Sequence, residues 1–384
     1  MANPRKRPPF ECVALTLQGG GALGAYQGGV YQALAEAGLH PDWVAGISIG
    51  SINSAIIAGN PPEARVDRLG EFWESITSTP FFDALGMFGG QGLGGDAGRR
   101  VFNQMSAASA LAGGVAGFFR LRIPPPYLEP PGTPGATSFY DTTPLLETLG
   151  RFVDFDRINA GATRLSIGAV NVGTGNFVYF DSTTQRIGPE HILASAALPP
   201  GFPAIEIDGE HYWDGGLVSN TPLHWVLQCG REARQDTLVF EVDLWSARGR
   251  VPRDIVEVAT REKEIRYSSR TRENTDRFED IQRLRHAIGK LVAELPPDLA
   301  KRASAAVLKK FADHKVYNIV HLIYRARLYE GESKDYEFSE LSMRDHWKAG
   351  HHDTLRTLRH REVLERPKDS DGIAIFDFTE PGSA

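Results

Sequence analysis

The chain has 384 residues, 41% hydrophobic and 23% charged, enough apolar content for a large buried core. Its formal charge of -6 gives no basis for nucleic-acid binding. Two cysteines far apart, Cys12 and Cys229, form neither a disulfide framework nor a metal-ligand spacing, so no metal or other cofactor is expected and a reducing, cytoplasmic setting fits.

The first residues, MANPRKRPPFEC, are basic and lack the apolar run of a signal peptide. No stretch reaches the roughly 18 uncharged apolar residues of a membrane span. Residues 11 to 17 (ECVALTL) read as a buried strand ending at a run of glycines. Apolar spacing from Ala25 to Ala37 predicts a helix, with Gly38 as its stop. Trp43 to Ile47 predicts a second strand and Ile49 to Ala58 a second helix. This strand–loop–helix rhythm predicts an α/β fold, a mostly parallel central sheet flanked by helices.

Residues 86 to 144 break the rhythm with GMFGGQGLGGDAG and IPPPYLEPPGTPG, which read as a cap or loop insertion over a cleft. Strands resume at Arg164 to Val170 and Asn176 to Phe180. Ile205 to Ile207 and His211 to Trp213 flank Asp208-Gly209, a hairpin-turn pair. Thr237 to Val242 is another apolar strand. From Pro252 to about Glu294 an apolar stripe among mixed charges predicts one or two amphipathic helices. A strand at 316 to 325 and a helical region at 343 to 363 follow. The expected organisation is a catalytic domain over 10–245 and a mainly helical extension over 250–375, whose helices offer a surface for self-association.

Two glycine loops carry the chemistry. Gly19-x-Gly21-x-x-Gly24 matches a dinucleotide fingerprint, but no acidic residue follows the second strand, and no Lys-Ser/Thr completes a phosphate loop. A plain tight turn is the structural alternative. A third reading takes Gly19, Gly20, Gly21 and Ala22 as a row of backbone N–H groups converging on an anion, such as the oxyanion of acyl transfer. That reading requires a nucleophile, and Gly46-Ile47-Ser48-Ile49-Gly50 supplies one. A serine between a strand and a helix, with glycines on either side, matches a nucleophile elbow. Ser48 as a simple helix cap is the plainer account.

Ser48 needs a base. A triad would draw on His191, His211 or His224, none of which has an evident acidic partner in the sequence. The alternative is Asp214 in HYWDGGLVSNTPL, where Gly215 and Gly216 let the carboxylate approach a serine closely. Burial would raise the basicity of such a carboxylate.

The three segments QGGGALG (18–24), GISIG (46–50) and DGG (214–216) resemble, in order, the motifs of the patatin-like phospholipase family. That resemblance implies an acyl-ester hydrolase with Ser48 as nucleophile, Asp214 as base and the Gly20, Gly21 and Ala22 amides as oxyanion hole. Gly19, Gly46, Gly50, Gly215 and Gly216 are the supporting turns. Gln18 and Leu23 stand where the family commonly has Asp and a cation. The C-terminal segment DYEFSELSMRDHWKAGHHDTL (335–355) resembles an extension found on a bacterial subset of the family.

The expected substrate is a lipid or another acyl ester, bound among apolar residues such as Phe81, Phe82, Met87, Leu111, Val115, Phe118 and Phe119. An exposed apolar patch beside the cleft would allow transient contact with a membrane surface. Acyl transfer, thioester or short-polyester hydrolysis, and noncatalytic lipid binding or scaffolding are the alternatives.

Overall fold

Strand β1 (Cys12–Leu17) is buried along its whole length, because its side chains are apolar toward one face and small toward the other. A computed structural model describes residues 7–77, 95–228, 235–268, 271–327, 329–367 and 372–378. β1 pairs in parallel with β2 (Trp43–Ile47) on one side and with the later strand Thr237–Asp243 on the other. The 3-10 turn Gly21–Gly24 and helix α1 (Ala25–Glu36) follow β1, and helix α2 (Ile49–Ala58) follows β2.

The insertion holds a helix, α3 (Asp96–Gly113), and a short hairpin, β3 (Arg120–Leu121) with β4 (Tyr140–Asp141). Beyond it, β5 (Arg164–Asn171) and β6 (Phe177–Asp181) pair antiparallel, as do β7 (Ile205–Ile207) and β8 (Glu210–Asp214). Asp208 and Gly209 both have positive φ, 53° and 81°, as a two-residue hairpin turn of this kind requires.

The nine-stranded sheet runs β11-β10-β9-β1-β2-β5-β8-β7, with β6 on β5. Here β9 is Thr237–Asp243, β10 is Tyr317–Ile323 and β11 is Ile373–Asp377. Strands β11 to β5 in that order are mutually parallel. The C-terminal region is mainly helical, with α4 (Ile255–Tyr267), α5 (Thr271–Ala293) and α6 (Glu340–Thr357). It also supplies β10 and β11, so the sheet continues through both segments expected from the sequence. β11 was not legible in the chain. IAIFD is only five residues long and follows a polar stretch.

The sheet is covered on both faces. Leu15, Leu17, Val242 and Val320 pack with α1 and α2 in the larger core, while Ala14, Ala45, Val239, Ile319 and Phe278 form a second core on the opposite face. Helices α1 and α6 meet through glycine. A Cβ on Gly29 would stand 1.9 Å from the Trp347 carbonyl oxygen, and one on Gly350 would stand 2.0 Å from that of Tyr26. Among the described residues no helix is long and apolar enough to cross a membrane.

Candidate active site

Strand β5 brings two distant segments together. β6 pairs with residues 166–170 of β5 and so occupies one edge of that strand. β2 and β8, which each overlap that span, must therefore share the other edge. On it β2 ends with Ile47 opposite Gly168, while β8 arrives antiparallel with Asp214 opposite Ala169. Ser48, the next residue after β2, and Asp214 thus converge at neighbouring positions of one strand. The Ser48 side chain is placed where it favours the ionised form of the Asp214 carboxylate.

Ser48 sits at φ 56°, ψ -126°, one of two non-glycine residues with positive φ among those described. Strain of this kind costs about 1–3 kcal/mol and persists where the surroundings impose it. They do so here. The Ser48 N–H donates to Ser195 Oγ (3.0 Å), which donates in turn to Gly168 O (2.7 Å). The Ser48 carbonyl accepts from Ser51 Oγ (2.6 Å). Glycine is required on both sides: a Cβ on Gly46 would lie 2.2 Å from Gly50 O, and one on Gly50 2.2 Å from Leu17 O. A Cβ on Gly215 would lie 2.7 Å from Gly168 O, so that turn too must lack a side chain.

Asp214 is 1% exposed. Burial pushes its carboxyl up to about 7, against the influence of Ser48 and the hydrogen bond from Gly216 N–H (2.7 Å), which favour the ionised form. The group is therefore near half ionised at neutral pH, a basicity suited to accepting a hydroxyl proton.

The glycine loop is held from behind. Gly19 O accepts from Asn220 Nδ2 (3.0 Å) and Trp245 Nε1 (2.9 Å), and Gly19 N–H donates to Asn220 O (3.3 Å). Gln18 Oε1 accepts from both Leu244 N–H (2.7 Å) and Trp245 N–H (2.9 Å), while its Nε2 donates to Thr221 Oγ1 (2.9 Å). An aspartate here could accept but not donate, so glutamine ties the loop to two segments at once. Leu23 is fully buried in the larger core, where a cation would lack solvent.

Ser48, Asp214 and Gly216 line a cavity of about 280 Å³ together with Gly19, Gly20 and Gly21. Ala22 is buried behind it. Of the expected apolar residues, Leu111, Phe118 and Phe119 line the cavity, whereas Val115 is buried in the core. Phe81, Phe82 and Met87 lie outside the described residues.

The wall also contains Phe202, Trp245, Tyr267, Tyr336 and Phe338, the last three from the C-terminal region. These, with Ser195 and Asn220, were missed in the sequence. Asn220 had a local signal in the SNTP that follows DGGLV, and Ser195 had none. None of the three candidate histidines lines the cavity. His191 is buried beside Phe180 and Glu190, His211 is exposed on β8, and His224 belongs to the helix Leu223–Gln228.

A sequence model described as patatin-like phospholipase matches residues 15–227, more than half of the chain. The chain belongs to the patatin-like phospholipase family. It is a lipid acyl hydrolase. A second model, described as patatin phospholipase, matches residues 265–370, the part that carries α5, β10 and α6. No curated protein matches the chain significantly.

Among solved structures, the chain is similar to VipD from Legionella pneumophila at 16% identity, covering 98% of this chain and 77% of that one, with a TM-score of 0.39. It is also similar to a chain in the complex of full-length SpcU with full-length ExoU from the type III secretion system of Pseudomonas aeruginosa. There identity is 18%, coverage is 79% of this chain and 62% of that one, and the TM-score is 0.27.

Proposed function

We propose that this patatin-like protein hydrolyses lipid carboxylic esters through a Ser48–Asp214 dyad and an acyl-enzyme. The observation that carries the reading is the convergence of Ser48 and the buried Asp214 carboxylate on one edge of β5, at the wall of an apolar cavity. Asp214 takes the serine proton as Ser48 Oγ attacks the ester carbonyl. Negative charge then develops on the carbonyl oxygen, where the amides of the glycine loop receive it. Gly20 and Gly21 line the cavity at the N-terminal end of a 3-10 turn, where the first N–H groups have no partner within the turn. Protonated Asp214 returns its proton to the departing alcohol oxygen, leaving Ser48 acylated. Water, deprotonated by the same carboxylate, attacks the acyl carbonyl and releases the carboxylic acid and free Ser48.

The cavity favours a single acyl chain. Its 280 Å³ lies just below the about 300–1,000 Å³ found for ligand pockets, and its wall is largely aromatic and aliphatic. The test is acyl release from p-nitrophenyl esters of increasing chain length by wild type and Ser48→Ala. Loss of at least about 10³-fold in kcat, with the melting temperature retained, is the expected result. Turnover persisting in clean Ser48→Ala protein overturns the assignment of the nucleophile.

A further inference from the structure

On the sheet face away from α1 and α2, a row of polar groups crosses four strands. Thr16 of β1 pairs with Glu241 of β9, Glu241 pairs with His321 of β10, and His321 pairs with Asp377 of β11. Paired residues point to the same face of a sheet, and Asp243, two positions beyond Glu241, joins them there. The row lies toward the carboxyl ends of the parallel strands, where open α/β sheets place their ligand sites.

The row is buried and poorly satisfied. Glu241 is 0% exposed, yet neither of its carboxylate oxygens has a hydrogen-bond partner among the described residues, and Thr16 Oγ1 has none either. His321 Nδ1 stands 2.7 Å from Glu241 Oε2 but off the line of a hydrogen bond. A buried carboxylate left without donors is costly to the fold. Asp243, His321 and Asp377 share a cavity of about 230 Å³ with Arg248 and Arg325.

We propose that Glu241, Asp243 and His321 bind a divalent first-row cation, Zn²⁺ or Mn²⁺. One donor atom from each residue lies within 4.8 Å of the other two. Donors around a tetrahedral zinc ion stand about 3.4 Å apart, given metal–ligand distances of about 2.1 Å, so adjustments within rotamer reach close the site. One imidazole nitrogen and two carboxylates form a donor set that suits these ions, and the adjoining cavity provides the way in.

The ion would also brace the catalytic loop. Asp243 Oδ1 is 3.5 Å from Thr221 Oγ1, the acceptor for Gln18 Nε2. The site is invisible as a motif, because two ligands come from β9 and the third from β10, 78 residues beyond Asp243 in the chain.

The test uses untagged full-length protein, stripped with chelator and then titrated with Zn²⁺ or Mn²⁺. Bound metal is read by elemental analysis after dialysis, and Mn²⁺ also by electron paramagnetic resonance. About one equivalent per chain is expected, with a raised melting temperature. Affinity should fall more than about 10-fold in Glu241→Gln and in His321→Gln, while Ser48→Ala leaves it unchanged. Wild type that retains neither ion and shows no thermal shift overturns the proposal, whatever the variants do. Retention that is the same in both variants overturns it equally. If either variant fails to fold, Asp243→Asn takes its place, and unchanged affinity there is again contrary.

Discussion

At Asp214, burial and hydrogen bonding act in opposite directions, and burial prevails, bringing the carboxyl to about 7. Two measurements follow at this one residue. With the ionised form as the proposed base, kcat/KM on a soluble ester should rise with pH and reach half its plateau near pH 7. Stability should move the other way. The folded state holds a proton that the unfolded chain releases near the ordinary 3.8, so stability falls as pH rises between about 4 and 7, by roughly 4 kcal/mol in all, and is level above. Asp214→Asn removes that loss. It should melt higher than wild type at pH 8, show little advantage at pH 4, and be inactive at both. A difference in melting temperature independent of pH would contradict the origin assigned to the shift.

At the scale of elements, helix α1 carries two glycines in its middle, Gly28 and Gly29, each of which weakens a helix by about 0.5–1 kcal/mol relative to alanine. Packing against α6 explains them, since the Trp347 ring lies over Gly28 and the Trp347 carbonyl over Gly29. Gly29→Ala should therefore destabilise the protein by about 1–3 kcal/mol in chemical denaturation, although alanine is the better helix former. A neutral or stabilising effect would show that the helices can part.

The same contact marks the limit of what the sequence disclosed. The tight turns at Ser48, at the glycine loop and at Asp-Gly-Gly were legible because each depends on neighbours within a few residues: Gly46 and Gly50 about Ser48, Gly215 after Asp214. Ser195, Trp245 and Phe338 were not, because their roles arise only when strands or segments far apart in the chain come together. β10 was visible as an apolar run, but nothing in VYNIVHLIYR told that it would add to the catalytic sheet beside β9.

Across the whole molecule, the cavity opens near a surface rich in exposed apolar side chains. Leu111 at the cavity wall is 45% exposed, and Ile123, Tyr127 and Leu128 of the nearby loop are more than 70% exposed. That loop is tied to the cavity wall: Tyr140 OH donates to Leu111 O (2.8 Å), and the Tyr127 ring packs on Phe139. Arg122 and Arg120, the latter paired with Asp141 (2.7 Å), lie in the same segment, and transient contact with an anionic lipid interface is the role proposed for this surface. Ile123→Asp combined with Leu128→Asp should lower hydrolysis of phospholipid vesicles containing anionic lipid by about 10-fold or more while leaving soluble-ester turnover within about twofold, since neither residue lines the cavity. Equal losses on both substrates would assign these residues to folding instead.

The shared edge of β5 makes that strand a ruler for the reaction. Ser48 and Asp214 are 166 residues apart in the chain, and the gap between them is set by which residues of β5 their two strands lie against. One residue along a strand is about 3.3 Å and reverses the side chain's face, so a single-residue insertion in β8 would carry the carboxylate out of reach of the serine. The hairpin loops at either end are free to lengthen. A longer turn at Asp208-Gly209 would leave the counting between Gly168 and Ala169 unchanged.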